Sequence, residues 1–161
     1  MDILSWTDTD MNAFLIWLEA TALSTWVRES TSVFAFPGIL SLHTVGMGLV
    51  AGLNAAIALR ILGFAPQVPF AEMKRFLPVM WFGFWLNAVS GVALLIAYPT
   101  KALTNPVFYL KLIFIALAVT SAVKAMPRGS KLWASMSLAG WTGAITAGRL
   151  LAYTYTRLMA I

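Results

Sequence analysis

Cysteine is absent from the 161 residues. That excludes a disulfide framework, a zinc thiolate site, an iron–sulfur cluster and covalently attached haem. Histidine occurs once, as His43. Charge is scarce as well: 11% of residues are Asp, Glu, Lys or Arg, against about 25% in soluble domains. No nucleophile–base pair, carboxylate pair or glycine-rich phosphate loop can be read along the chain. Lys and Arg outnumber Asp and Glu by 11 to 6, but they are scattered, so no nucleic-acid footprint results. The start, MDILSWTDTD, holds three Asp and no Lys or Arg. A cleaved signal peptide needs a basic beginning, so the mature protein is expected to keep this segment.

What the chain has in abundance is apolar sequence. It is 60% hydrophobic, with a mean hydropathy of +0.82. A helix crossing a bilayer needs about 20 mainly apolar residues. Four stretches are expected to do so: Ser32 to Leu59, Leu77 to Ala97, Pro106 to Val123, and Leu132 to Tyr155. Pro37, Pro78 and Pro106 lie near helix starts, where a missing N–H costs little. Gly63, Pro66, Pro69, Pro99, Pro127 and Gly129 break the helices between. Asp10 to Glu29, with Asp8 or Asp10 as cap, is too polar to span. Its Phe14, Trp17, Leu18, Leu23 and Trp26 suit a helix lying at headgroup level. The expected fold is all-α: an integral membrane four-helix bundle (31–161) preceded by an outer-face amphipathic interfacial helix (1–30).

Arg60, Lys74 and Arg75 follow the first span, and Lys124, Arg128 and Lys131 follow the third. The opposite side has Arg28, Lys101 and Arg157 with most of the acids. The positive-inside rule then places loops one and three in the cytoplasm and both termini in the periplasm of a bacterial inner membrane.

Helical periodicity sorts the polar residues. His43, Met47, Val50 and Asn54 share one face of the first span. Gly46 leaves room beside the imidazole. Gly48, Gly52 and Ala56 form a small-residue ridge on the other side, suited to close helix packing. In the fourth span Gly140, Ala144 and Ala147 form a second ridge, opposite Thr142, Thr146, Arg149 and Tyr153. Lys111 lies just inside the third. A cation in a membrane helix normally faces protein, water or an anion, although Lys111 near a helix end can also snorkel to the surface. Counted along the helices, His43, Lys111 and Arg149 all fall in the outward half. A b-type haem would satisfy this set. His43 would be its metal ligand; Gly46, Met47, Lys111, Arg149 and Tyr153 would line it, the two cations meeting propionates. A bis-histidine site would then need a second copy of the chain. The bland alternative is a structural imidazole bonded to a backbone carbonyl or to Asn54. The methionines Met47, Met80, Met126, Met136 and Met159 suit soft copper ligation but are scattered. Trp81, Phe82, Phe84 and Trp85 could flank a flat ring, or simply pack. Asn87 and Ser90 fit interhelical hydrogen bonding.

The order "WVRESTSVFAFPGILSLHTVGMGLVAG", "RILG", "NPVFYLKLIF", "WTGAITAGRLLAY" resembles a family of small bacterial four-helix inner-membrane proteins without an assigned function. That family is distantly similar to the membrane part of the copper-resistance protein D family. The resemblance covers roughly residues 25 to 155 and implies a four-helix inner-membrane fold. His43, Arg60, Lys111 and Arg149 stand at its polar positions. Leu40 and Ala58 replace a Glu and an Asp often present in the pattern, which counts against cation handling.

The expected function is that of a non-catalytic membrane subunit binding haem b, relaying electrons or anchoring a redox partner. Its partners would be the bilayer and either a second copy or a larger membrane redox complex. The rival reading is a cofactor-free structural or assembly subunit. A copper or small-solute transporter ranks third, because no acid lies inside a span.

Overall fold

The computed structural model describes residues 12–158. Side chains are described as far as Thr154. The caps expected of Asp8 and Asp10, and the positions of Arg157 and Met159, lie outside that description.

Every regular element among the described residues is a helix: α1 (12–19), α2 (Ala22–Glu29), α3 (Phe36–Leu62), α4 (Phe70–Lys74), α5 (Leu77–Ala97), α6 (Pro99–Leu103), α7 (Pro106–Arg128) and α8 (Lys131–Leu158). Local chemistry sets most ends. Pro37, Pro78 and Pro106 occupy first turns of α3, α5 and α7, with φ already helical. The Asn105 side chain accepts from the Val107 N–H at 2.9 Å and caps α7. Gly63 (φ 107°) and Gly129 (φ 57°) close α3 and α7 in the left-handed region, where a Cβ is disfavoured.

Among the described residues, three helical segments are long and apolar enough to cross a bilayer: Phe36–Leu62, Phe70–Ala97 and Pro106–Arg128. Four were expected. The fourth stretch is a helix of 28 residues, but its Ser, Thr, Gly and Arg149 leave it less apolar than the others. Many large apolar side chains on α3, α5 and α7 point outward. Val45, Phe82, Trp85, Val89 and Ile113 are all more than half exposed, which suits lipid and would be untenable as a continuous patch in water.

The segment 12–29, expected as one helix, is two. It breaks at Ala20–Thr21, where the Thr21 hydroxyl caps α2 by accepting from Ser24 N–H. The burial of α2 is inverted relative to a soluble helix. Ser24 and Val27 are covered, while Leu23 and Trp26 are exposed, as are Phe14, Ile16 and Trp17 of α1. Two short helices, α4 and α6, fold loops that the sequence left irregular.

Pairing follows the small residues. α3 lies on α5 and α7 lies on α8, with α3 also touching α8. A Cβ on Gly46 would come within 2.6 Å of Asn87 N, and one on Gly83 within 2.6 Å of Leu49 Cβ. On α8, a Cβ at Gly140 would meet the Ala118 backbone at 2.8 Å, and one at Gly143 the Phe114 ring at 2.6 Å. The Gly140/Ala144/Ala147 ridge is buried as expected. The Gly48/Gly52/Ala56 ridge is not: it is exposed, with no heavy atom within 4 Å of a Cβ placed at Gly48 or Gly52. Helix α3 packs through Gly46 instead.

Candidate functional site

His43 lies in the third turn of α3 and is half-buried. Its Nδ1 stands 3.0 Å from the Asn87 carbonyl and 3.2 Å from Ser90 Oγ. The Ser90 hydroxyl donates to the Leu86 carbonyl at 2.6 Å, so its oxygen is free to accept. A carbonyl cannot donate, so Nδ1 carries the proton and donates to Asn87 O. Asn87 returns the bond: its Nδ2 donates to the His43 carbonyl at 2.7 Å. One residue pair thus joins α3 to α5 twice. Asn87 and Ser90 are buried, and neither leaves the interface unsatisfied.

This network is possible because the helices touch. The Gly46–Gly83 contact brings the backbones close enough for side chains of one helix to reach carbonyls of the other. Gly91 completes it: a Cβ there would stand 3.1 Å from His43 Cε1. The space expected beside Gly46 is therefore filled by α5. The imidazole bonds a backbone carbonyl, and Asn54 takes no part in it.

Asn54 belongs to a second buried cluster nearer the middle of the bundle. Ser137 Oγ lies 3.1 Å from Asn54 Oδ1 and 2.9 Å from the Ala118 carbonyl, linking α3, α7 and α8. Asn54 Nδ2 and Ser121 Oγ are buried without a partner. A void of about 20 Å³ lies beside Asn54, bounded by Val50, Met80, Trp81, Phe84 and Trp141 among others. One water needs roughly 10–15 Å³ on this measure.

The other expected site residues fall as follows. Lys111, half-buried on α7, reaches Gly148 of α8, its Nζ 3.9 Å from a Cβ placed there. It makes no hydrogen bond or ion pair with another described residue; the one ion pair among them is Arg75–Glu72. Met47 is half-buried beside the lock. Arg149 and Tyr153 are exposed, and Thr142 and Thr146 spend their hydroxyls on carbonyls of their own helix. The structure thus sets His43 against α5 and Lys111 against α8, and leaves Arg149 on the surface. Among the described residues no group of three His, Cys, Asp or Glu could hold a metal ion. Of the aromatic cluster, Trp81, Phe84 and Trp85 form two edge-to-face contacts.

Sequence reasoning missed a polar clamp at the same end. Arg28 donates to the Ala97 carbonyl at the C-terminus of α5 (3.0 Å) and to the Glu19 carbonyl (2.8 Å). Ser24 also donates to Ala97 O. The Glu19 carboxylate accepts from Thr100 N–H at the start of α6 (3.2 Å). A guanidinium at a helix C-terminus and a carboxylate at an N-terminus both meet the favourable end of the dipole. Only the polar gaps in the 12–29 apolar pattern hinted at this.

No protein-family model, curated protein or solved structure matches the chain.

Proposed function

We propose that the protein is a non-catalytic structural or assembly subunit of an inner-membrane complex, built as four membrane helices with α8 as the fourth. Helices α1 and α2 lie in the outer interface, and both termini are periplasmic. The observation that carries this reading is the use made of His43. The one imidazole bonds α3 to α5, and the space beside Gly46 is filled by α5. The inverted burial of α2 supports an interfacial position, because Leu23 and Trp26 gain nothing from exposure to water. The cations at the α3 and α7 C-terminal ends support the orientation. Purification from native membranes in mild detergent, with mass spectrometry of what accompanies the chain, tests it. A stoichiometric membrane partner is expected; a chain that runs alone and monodisperse, with no partner after crosslinking, contradicts it.

A second reading, a haem b subunit, is favoured by one detail. Metal-binding imidazoles usually donate the other ring nitrogen to a carbonyl, and here Nδ1 does so, while Nε2 has no hydrogen bond among the described residues. Lys111 would be the propionate partner. The fit is partial: Gly46 offers no room, and Arg149 and Tyr153 stand exposed. An absorption spectrum separates the two readings.

A further inference from the structure

At the opposite end of the bundle from His43, a cleft opens between α3, α4 and the C-terminal turn of α7. Its inner part, about 280 Å³, is walled by Ile57, Phe70, Met73, Leu77, Met126 and Pro127, with Lys74 at its edge. Its outer part, about 460 Å³, shares Phe70, Lys74, Met126 and Pro127 and adds Arg60, Arg128 and Gly129. The two parts are continuous and differ in chemistry. The inner one presents mainly carbon and thioether surface, with Lys74 shared between the two; Arg60 and Arg128 join Lys74 around the outer one.

None of those cations is paired with a carboxylate among the described residues. Glu72, the one acid nearby, is taken by Arg75 at 2.9 Å. Arg60 is held in place by the loop it supports: Nε donates to Val68 O at 2.6 Å and one terminal nitrogen to Pro66 O at 3.1 Å. Both acceptors are neutral carbonyls, so its charge stays uncompensated. Lys74 sits over the Phe70 ring, Nζ 5.7 Å from the centroid, which holds the ammonium where the apolar wall ends. Arg128 closes α7 and is exposed.

We propose that this cleft binds an anionic phospholipid, its phosphate among Arg60, Lys74 and Arg128 and an acyl chain in the apolar inner part. Charge complementarity selects the headgroup: basic pockets between membrane helices take anionic lipid headgroups. The inner wall selects the tail. A soluble phosphate ester would leave that wall without a partner. A neutral lipid would leave three cations without one. The assignment does not depend on what His43 does.

The test is native mass spectrometry of the full chain, released from detergent after exposure to phosphatidylglycerol or phosphatidylcholine, alongside thermal unfolding with each lipid and with inorganic phosphate. One retained phosphatidylglycerol per chain is expected, at least about tenfold over phosphatidylcholine, with a rise in melting temperature that phosphate does not reproduce. K74Q/R128Q should lose this preference. Met73→Trp, which fills the inner part and leaves the charges alone, should lower retention. Equal retention of both lipids would overturn the proposal, as would stabilisation by phosphate equal to that by the lipid. So would unchanged retention in folded K74Q/R128Q. If that variant does not fold, the comparison of lipids and phosphate on the unaltered chain decides.

Discussion

His43 and Asn87 exchange hydrogen bonds: the imidazole of the first donates to the backbone of the second, and the amide of the second donates to the backbone of the first. The exchange is reciprocal, crosses from α3 to α5, and sits beside the Gly46–Gly83 contact between them. Such pairs in membrane proteins are worth about 0.6 kcal/mol on average and up to about 1.7. Each bond ends on a backbone carbonyl that Ala retains, so His43→Ala and Asn87→Ala, read by reversible unfolding in detergent, should each cost about 0.5–1.5 kcal/mol and should add in the double variant. A neutral effect of either substitution would show that its bond does not hold α3 to α5.

The two glycine faces of α3 should respond oppositely. Gly46→Val and Gly83→Val place methyls against backbone, and overpacking of that kind costs about 1–3 kcal/mol. Gly48→Val and Gly52→Val meet open space and should leave the melting temperature of the isolated chain within a degree or two of the original. If the second pair proves as damaging as the first, the exposed ridge is covered by another copy or a partner.

The Asn54–Ser137 cluster makes a prediction about sign. Ser137→Ala removes the hydroxyl whose single proton is shared between the Ala118 carbonyl and Asn54 Oδ1, and should destabilise by about 1–2 kcal/mol. Asn54→Leu removes the unpartnered Nδ2 and extends toward the neighbouring void, so it should be less harmful than Ser137→Ala. Unfolding of both variants under one set of conditions compares them; the reverse order would mean that a water in the void satisfies Asn54.

Lys111 is a cation in a membrane helix with no carboxylate partner among the described residues. Under the structural reading, Lys111→Met removes a desolvation cost and should raise the melting temperature or leave it unchanged. A marked fall would mean that the ammonium holds an anion in the purified protein.

Much of the helical framework was legible because proline starts and glycine stops leave local marks. Pro106 and Gly129 delimit α7, and Pro37 and Gly63 nearly delimit α3, without any tertiary information. Periodicity placed His43 and Asn54 on the face of α3 that meets other helices, and it identified the buried ridge of α8. It did not reveal which partner each would take. Residues 44 apart in sequence, such as His43 and Asn87, become neighbours only through the Gly46–Gly83 approach, and Gly46 reads equally well as a space for a guest. The Gly48 ridge was misjudged for the same reason: a row of small residues shows that a helix can be approached, not that it is. Arg149 was expected inside because helical depth was counted without the rotation of α8, which turns that side chain outward. The α4 and α6 turns and the Arg28 clamp depend on contacts between distant segments and have no periodic signal.

The central claim is that His43 is spent on holding α3 to α5 and carries no ring. An absorption spectrum of protein expressed with ample haem and purified in mild detergent tests it most directly. The account predicts no Soret band. A Soret band at one haem per chain or per two chains, absent from a folded His43→Ala variant, would contradict it.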